Sequence, residues 1–315
     1  MSVATQSTNR LGATWTAFWT GSTDPHIYAA LRVLFGVLGL VTLAGLGDFS
    51  TYWTCDGLVM SADGSICQAA RNAGVGWLPG GLLLAATVVS FVLVVIGYQS
   101  VYAVSGAFIS LALIVYWNPV PLSAAEQVLR ASIFCLIWAD SGRVFSVDAR
   151  IARRRAAATP GAVAPVPVWP LRLLQVQVAS IYFVSGLWKL ANVTWRDGSA
   201  LHYVFENNQF KRFPIAALPI ETLLTVATYA TLFWELGFAF MLLHRRWRRW
   251  ALAIGVAMHL GMWATLELGS FSAVMIASYV AFVDPARLRW MTRSASERGP
   301  RDIAIGPGGS REGSR

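Results

Sequence analysis

Long runs of apolar residues, separated by short polar segments, recur along most of the chain. Many of these runs approach the roughly 20 residues that an α-helix needs to cross a bilayer. They predict about eight transmembrane helices, near residues 27–46, 80–97, 101–117, 124–139, 171–190, 218–243, 251–266 and 271–282. Proline and asparagine in segments such as WNPVP and ENNQFKRFP mark breaks between helices. We therefore expect an all-α, polytopic membrane helical bundle.

The composition supports a membrane protein and argues against a soluble one. Hydrophobic residues make up 56% of the chain and charged residues 13%, whereas about a quarter of the residues of a soluble domain are charged. Residues 1–24 are polar and contain no short apolar core of a signal peptide, so they predict a cytoplasmic or interfacial segment. The first span is too long for a signal core and predicts an uncleaved anchor.

The positive charge of the chain is concentrated in alternate loops. Arginines crowd residues 141–172, the segment HRRWRRW and the C-terminal tail, whereas the loops on the other side contain only Arg71, Arg196, Lys211 and Arg212. Because positively charged loops stay in the cytoplasm, we expect both termini there and the chain in the cytoplasmic membrane. The net charge of +9 comes with no zinc motif and no basic patch interleaved with stacking aromatics, so no nucleic-acid partner is expected.

Composition also predicts the boundaries of the transmembrane domain. Residues 25–290 form one transmembrane unit, interrupted by a Pro/Ala-rich cytoplasmic linker at 156–170 that separates two groups of four helices. The linker predicts a flexible or polyproline-like segment and hints at two half-bundles. Residues 291–315 are rich in Gly, Ser and charge, and predict a disordered basic tail.

The cysteines and histidines predict one disulfide and no metal site. Cys55 and Cys67 lie in the first external loop, where an oxidising environment permits a disulfide, although two free thiols are the alternative. Cys135 lies in a span and is expected to be a small core residue. The four histidines are scattered, and neither HExxH nor CxxC occurs, so no metal is expected.

Polar residues in three predicted spans form the candidate site. In the fifth span, four polar residues are separated by seven, three and four positions, which places them on one face of a helix. They are Gln175, Tyr182, Ser185 and Lys189. Glu235 lies in the sixth span and His259 in the seventh. Ionisable groups at bilayer depth are costly, and they tend to face the interior of a bundle and carry function.

Structural interpretations of these residues remain open from the sequence. Lys189 lies near the outer end of its span and could extend to the lipid headgroups. Glu235 could pair with an arginine such as Arg32 or Arg130, and His259 could be a neutral, hydrogen-bonded core residue. Trp195, just beyond the fifth span, is by itself typical of the membrane interface.

The functional interpretation depends on the chemistry of a buried amine. An apolar site disfavours the charged form of lysine, so the neutral amine can act as a base or nucleophile near neutral pH. A carboxylate and an imidazole nearby would transfer protons and orient the reacting groups. Such a pocket at membrane depth suits a lipophilic substrate better than a sugar or a nucleotide.

Several segments resemble those of the vitamin K-dependent gamma-carboxylase and its bacterial relatives, the horizontally transferred transmembrane (HTTM) domain proteins. These are LRVLFGVLGL, VLRASIFCLIWADSGRVFSVDARI, QVQVASIYFVSGLWKLANVTWRDGSALHYVF, TLFWELGFAFMLL and GVAMHLGMWATLELGSFSAVMIASYVAFV. Each motif is loose, but their order and spacing match those of the family over about residues 25–290.

The resemblance implies a quinone-dependent enzyme. In the carboxylase, the matching lysine deprotonates vitamin K hydroquinone, so Lys189 would be the base, with Glu235 and His259 lining the quinol site. Side chains expected to bind the cofactor are those of Tyr182, Ser185, Trp195 and Gln175. The implied cofactor is a reduced quinone, either menaquinol or a molecule like vitamin K hydroquinone, and the chemistry would modify a lipid, peptide or protein substrate.

Two other functions remain open from the sequence. The family also includes accessory membrane proteins of a sporulation-delaying toxin system, which resemble this chain in size and helices and assist toxin maturation. The resemblance therefore also permits a non-enzymatic role in the maturation or export of a secreted peptide toxin. A proton-coupled transporter with Lys189, Glu235 and His259 as a relay ranks last, because neither broken paired helices nor inverted repeats are recognisable.

Overall fold

The computed structural model describes residues 12–58, 64–156, 163–213 and 219–292. The predicted disordered tail lies almost entirely outside the described residues, as do residues 157–162 of the linker and residues 1–11. Within the described ranges the chain is almost entirely helical. The exceptions are a two-residue antiparallel pairing of Ser22–Thr23 with Val166–Pro167 and an isolated bridge between Lys211 and Leu266.

Eight helices correspond to the eight predicted apolar runs. They are α1 (His26–Ala44), α2 (Leu78–Ile96), α3 (Ser100–Trp117), α4 (Ala124–Ile137), α5 (Trp169–Ala191), α6 (Glu221–Leu243), α7 (Arg245–Thr265) and α8 (Phe271–Ser278). Helix α8 continues as a 3₁₀ turn, Tyr279–Phe282. The all-α membrane fold is thereby confirmed at the level of its helices.

Five of these helices are long and apolar enough to cross a bilayer, namely α1, α2, α3, α5 and α6. Helix α4 has only 14 residues and α8 only 8. Helix α7 has 21 residues, but arginines fill its first turns. The structure therefore supports a multi-pass membrane protein, while eight crossings and cytoplasmic termini stay predictions.

Helices α1, α4 and α8 pack together in the middle of the bundle. On one side of them, α2 and α3 pair with each other and lean on α1 and α4. On the other side, α5 packs along α6, and α7 bridges α6 and α8. The two sets of four helices thus meet through α1, α4 and α8, and the polar residues of the candidate site lie in the second set.

The loops gather at two ends of the bundle. At the arginine-rich end, the Arg289 guanidinium lies 2.6 Å from the Asp24 carboxylate, and the Val168 amide donates to the Gly21 carbonyl at 2.9 Å. At the other end, which we call the disulfide end, the Asn118 side-chain amide donates to the carbonyl of Tyr52. Cys55 and Cys67 are joined by a disulfide at this end, which confirms the predicted pairing.

A buried arginine holds the arginine-rich end together. Arg32 of α1 is fully buried, and its guanidinium donates only to backbone carbonyls. The acceptors are Val94 at 2.5 Å, Val95 at 2.8 Å, Ser141 at 3.1 Å and Phe145 at 2.6 Å. The first two are among the last carbonyls of α2, where the helix dipole favours a cation. Arg32 thereby joins α1, the end of α2 and the segment after α4.

Asp148 completes the same end of the bundle. Its carboxylate accepts hydrogen bonds from the amides of Gln99 and Ser100, each at 2.8 Å, and so caps the start of α3. Burial raises the pKa of Asp148, but these hydrogen bonds outweigh burial and leave the pKa below its ordinary value. The positive charge of Arg32 also lowers the pKa of Asp148.

Two glycines allow α1 and α2 to approach closely. A Cβ atom on Gly39 would lie 2.2 Å from the ring of Phe91, and one on Gly36 would lie 2.8 Å from Val95. Phe91 is fully buried, so its ring has little room to move. The hydrophobic effect does not drive helix association inside a membrane, so helices there depend on van der Waals packing. Small residues at helix crossings allow the close approach that this packing needs.

We expect Gly39→Ala to destabilise the protein. The added methyl group must displace the Phe91 ring, and overpacking of this kind costs about 1–3 kcal/mol, which exceeds the helix-propensity gain of roughly 1 kcal/mol. Gly237→Ala is the matched control, because nothing lies within 4 Å of a Cβ at that position of α6. Thermal unfolding in detergent should show a lower midpoint for Gly39→Ala and an unchanged or higher one for Gly237→Ala. Equal midpoints would contradict the close α1–α2 contact.

Candidate functional site

An ion pair joins α5 to α6 inside the bundle. Lys189 Nζ donates to Glu235 Oε1 and, at 3.2 Å, to Ser185 Oγ one turn earlier on α5. The side chain of Glu235 is 7% exposed and that of Lys189 is 22% exposed. The amine is therefore directed to a carboxylate on the neighbouring helix rather than outward to the headgroups. Glu235 pairs with this lysine and not with Arg32, whose guanidinium donates to four backbone carbonyls, nor with Arg130.

A glycine brings the two helices of the pair together. A Cβ on Gly186 would lie 3.0 Å from the Leu236 side chain and 3.1 Å from its backbone nitrogen. Any larger residue would push α6 away at the level of Glu235. The stretch Ser-Gly in α5 thus supplies both a hydroxyl for the amine and the close approach that lets the amine reach Glu235.

Trp195 covers the amine from the disulfide end. Helix α5 ends at Ala191, and Asn192 then caps a short helix, Val193–Arg196, by accepting from the Thr194 amide at 3.0 Å. The break between the two helices places the Trp195 ring over Lys189, with its centroid 4.8 Å from Nζ. A cation over an indole face is attracted by the ring quadrupole. The half-buried tryptophan is thus part of the site as well as an aromatic residue near a helix end.

A second group of polar side chains lies next to this pair. The Tyr182 hydroxyl is 2.6 Å from His259 Nε2 and 2.5 Å from the Tyr279 hydroxyl. We call Tyr182, His259 and Tyr279 the Tyr–His cluster. It connects α5, α7 and the 3₁₀ turn after α8, and all three side chains are buried. Gly255, one turn before His259, makes room for it, since a Cβ there would lie 2.3 Å from the Tyr279 hydroxyl.

Tyr279 is a member of the site that the sequence did not indicate. It lies in the last apolar run without a polar neighbour at helical spacing, so its sequence context is that of an ordinary core tyrosine. The sequence feature most closely related to Tyr279 is Gly255 in GVAMH. Its connection with Tyr279 is visible only in the three-dimensional packing.

Aromatic rings enclose the cluster. The Tyr182 ring packs against Phe238 at 4.4 Å and Trp234 at 4.7 Å between centroids. The His259 ring lies 5.7 Å from Phe271, which begins α8. Trp234 directly precedes Glu235 in α6, so the aromatic residues around the cluster and the acidic partner of Lys189 come from the same turn of that helix. Polar interactions in such surroundings are stronger than in water.

Three buried polar atoms of the site have no hydrogen-bond partner among the described residues. They are Trp234 Nε1, Glu235 Oε2 and His259 Nδ1. More than nine in ten buried polar groups in proteins are paired, and a group that is not is a candidate for a ligand or an ordered water. Glu235 belongs to the ion pair and His259 to the Tyr–His cluster, so each half of the site contains an unpaired atom.

Gln175 is not part of this arrangement. It lies on the same face of α5 as Tyr182 but two turns away, roughly 10 Å along the helix axis. Its side-chain amide donates to the Ala281 carbonyl at 2.7 Å, and its oxygen accepts from Arg172 at 2.8 Å. Gln175 thus fastens α5 to the 3₁₀ turn after α8. Among the described residues, no group of three or more His, Cys, Asp or Glu side chains is placed to hold a metal ion.

A large cleft opens near the site but does not contain the ion pair. Its volume is about 1140 Å³, and it lies at the disulfide end, between the ends of α1, α4 and α7. Trp263 and Phe271 belong to its lining, and Phe271 is also the ring that packs on His259. Phe271 therefore separates the cleft from the Tyr–His cluster.

Comparison with known proteins places most of the chain in one family. The family model described as the HTTM domain matches residues 21–287. Sporulation-delaying protein SdpB of Bacillus subtilis (strain 168) is 26% identical over 129 residues, which cover 37% of this chain and 38% of that protein. The chain thus aligns with well under two thirds of this relative's length. No solved structure matches the chain.

The ion pair generates a prediction about stability. Removing one partner with Glu235→Gln or Lys189→Met leaves an uncompensated charge in the bundle, and such changes cost about 3–5 kcal/mol at buried pairs. The double variant Lys189→Met with Glu235→Leu removes both charges and should recover most of that loss. Thermal unfolding of all three in detergent measures the coupling. Single and double variants with simply additive losses would contradict a direct pair.

Proposed function

The chain belongs to the HTTM domain family, and from this we propose that it is a multi-pass membrane enzyme that binds a reduced quinone and deprotonates it with Lys189. The observation that carries the proposal is the Lys189–Glu235 pair inside the bundle, beside the Tyr–His cluster. A lysine whose amine lay in solvent at a helix end would not be placed to deprotonate a lipophilic ligand. We place the enzyme in the cytoplasmic membrane, where lipophilic quinones dissolve.

The site residues fit a hydroquinone. The ligand is a flat aromatic ring with two hydroxyl groups, and the site offers aromatic side chains together with unpaired polar atoms on Glu235 and His259. Glu235 Oε2 is an acceptor for a hydroxyl, and His259 Nδ1 is a donor or an acceptor according to its tautomer. Trp234, Phe238 and Phe271 supply the apolar surface that a naphthalene ring needs.

The ion pair supplies the base. Glu235 can take a proton from Lys189 across this contact. When the proton lies on Glu235, the amine of Lys189 is neutral and can accept a proton from a nearby hydroxyl. Ser185 and Trp195 hold the amine in place, one through a hydrogen bond and the other through its ring face.

The Tyr–His cluster supplies a second route for protons. The Tyr182 hydroxyl touches both His259 and Tyr279, so it can accept a hydrogen bond from one while it donates to the other. His259 can therefore give or take a proton at Nδ1 while its other ring nitrogen exchanges one with Tyr182. This arrangement suits a residue that orients a ligand hydroxyl and stabilises charge on it.

When bound, the hydroquinone would supply the four electrons that reduce dioxygen and the two protons that end in water. With dioxygen as the oxidant, the balanced overall reaction converts the hydroquinone and one dioxygen to the quinone epoxide and one water. Deprotonation by Lys189 makes the ring more electron-rich and starts this reaction. The acceptor that such chemistry would modify is a lipid or a peptide.

Turnover of a naphthohydroquinone tests the proposal. Membranes that contain the protein should convert added hydroquinone to the epoxide above the level of empty membranes, and Lys189→Ala should reduce this excess by 100-fold or more, in the range of 10²–10⁴ that a general base contributes. Lys211→Ala is the matched control, because Lys211 is the only other lysine and lies at the disulfide end outside the site. Chromatography with mass spectrometry measures the product.

The same preparations provide a check that does not depend on turnover. Quinone extracted from wild-type protein purified in mild detergent should be present in near-stoichiometric amount and should fall in the Glu235→Gln and His259→Ala variants. Epoxide formation that is equal in Lys189→Ala and wild type would refute the assignment of Lys189 as the base.

A second candidate is a non-enzymatic accessory protein for the maturation of a secreted peptide. The similarity to sporulation-delaying protein SdpB over 129 residues supports it. On this hypothesis the cleft would hold the peptide and Lys189 would only stabilise the bundle.

Complementation separates the two candidates. If the role is accessory, deleting the gene in its own host should abolish a secreted peptide, and both wild type and the charge-free Lys189→Met/Glu235→Leu double variant should restore it. The enzyme hypothesis predicts restoration of the deleted function by wild type alone. Mass spectrometry of the culture medium, together with membrane levels of each variant, measures the result.

A further inference from the structure

The cleft at the disulfide end is lined by both apolar and polar residues. Its apolar lining includes Val41, Phe210 and Trp263, which come from α1, the segment before α6 and the end of α7. Its polar lining includes the side chains of Gln127 and Arg130 on α4. A concave apolar surface with a few convergent polar groups is the usual form of a ligand site.

Arg130 is the unexplained charge of this cleft. It is the seventh residue of α4, so it lies roughly 9 Å from the start of that helix along its axis. The side chain is half-buried. Within the described part of the chain, no carboxylate lies within ion-pair distance of its guanidinium and no hydrogen bond from it is formed. Arginines at membrane depth almost always pair with another group or face a cavity, so an anion bound in the cleft is a candidate partner for Arg130.

Two acidic side chains line the cleft, and each already has a polar partner. Glu126, one turn before Arg130, accepts from the Ser123 amide at 2.6 Å and from its hydroxyl at 2.9 Å, which completes the cap of α4. Glu267 lies 3.9 Å from Arg212. Neither neutralises Arg130, and the positive charge remains available to a ligand.

A second groove continues from Arg130 along the lipid-facing side of the bundle. It has a volume of about 570 Å³, is lined by Phe134 and Val176 of α4 and α5, and shares Gln127 and Arg130 with the cleft. Phe134 is 42% exposed and Val176 is 45% exposed. Arg130 therefore lies where the cleft, open at the disulfide end, meets a groove with exposed apolar residues on the side of the bundle.

We propose that the cleft and this groove together bind an anionic phospholipid from the leaflet at the disulfide end. The phosphate lies against the Arg130 guanidinium, whose fork of N–H donors matches phosphate oxygens. Gln127 donates to the headgroup, and one acyl chain runs along the groove past Phe134 and Val176. The continuous apolar path favours a lipid over a soluble phosphate or an acidic peptide, neither of which would fill the groove.

Lipid titration followed by native mass spectrometry tests the proposal. The full chain in detergent is titrated with phosphatidylglycerol and, separately, with phosphatidylcholine of the same acyl chains. Wild type should prefer the anionic lipid, and Arg130→Gln should weaken its binding about tenfold, as expected for the loss of a charge-assisted hydrogen bond. Gln127→Leu should weaken it several-fold, and so provides a second variant if Arg130→Gln does not fold.

Two control variants show whether the effect belongs to this site. Arg150→Gln removes a charge from a groove at the arginine-rich end and should leave binding of the tight lipid unchanged. The double variant Lys189→Met with Glu235→Leu, which is expected to recover most of the stability lost in the single variants, should do the same, so the outcome is independent of the quinone chemistry. Equal binding of phosphatidylglycerol to wild type, Arg130→Gln and Gln127→Leu would overturn the proposal. So would displacement of the lipid by inorganic phosphate alone, or by an acidic peptide, at equal concentration.

Discussion

A charge inside an apolar bundle must find its partner within the protein, and the Lys189–Glu235 contact meets this requirement. The cost of leaving either group alone exceeds the cost of bringing two helices together, so the pair fixes how α5 and α6 are packed. Two neighbouring features serve the same pair. Gly186 lets α6 come close enough for Glu235 to reach the amine, and the short helix after α5 brings Trp195 over the amine. The Tyr–His cluster then occupies the space that this packing leaves beside the pair.

The helices could be predicted from the sequence because their signal is local. Apolar runs of about 20 residues have one low-energy state in a bilayer, and the helices from α1 to α8 lie close to the predicted ranges. The disulfide was also predictable, since two cysteines 12 residues apart in one loop have few other partners. Lys189, Glu235 and His259 were identifiable as a group because each is rare at membrane depth.

The parts that could not be predicted depend on contacts between distant segments. Periodicity places Gln175 and Tyr182 on one face of α5, but it does not show which helix stands opposite at each height, and Gln175 meets the Ala281 carbonyl instead of the site. Tyr279 joins the cluster only because Gly255 leaves room for its hydroxyl. Backbone carbonyl acceptors, such as those around Arg32, cannot be recognised in a sequence, because every residue has one.

Arg32 has a consequence for how the protein is made. Its acceptors lie at residues 94–95 and 141–145, so a ribosome must synthesise more than a hundred further residues before the guanidinium can be satisfied. Until then the first helix carries an unpaired charge, at a cost of about 2.5–3.5 kcal/mol at the centre of a bilayer and less toward its edge. We therefore expect the first helix to move from the insertion machinery into the lipid only after the fourth helix has been synthesised. Assembly of the first half of the bundle is then a concerted step.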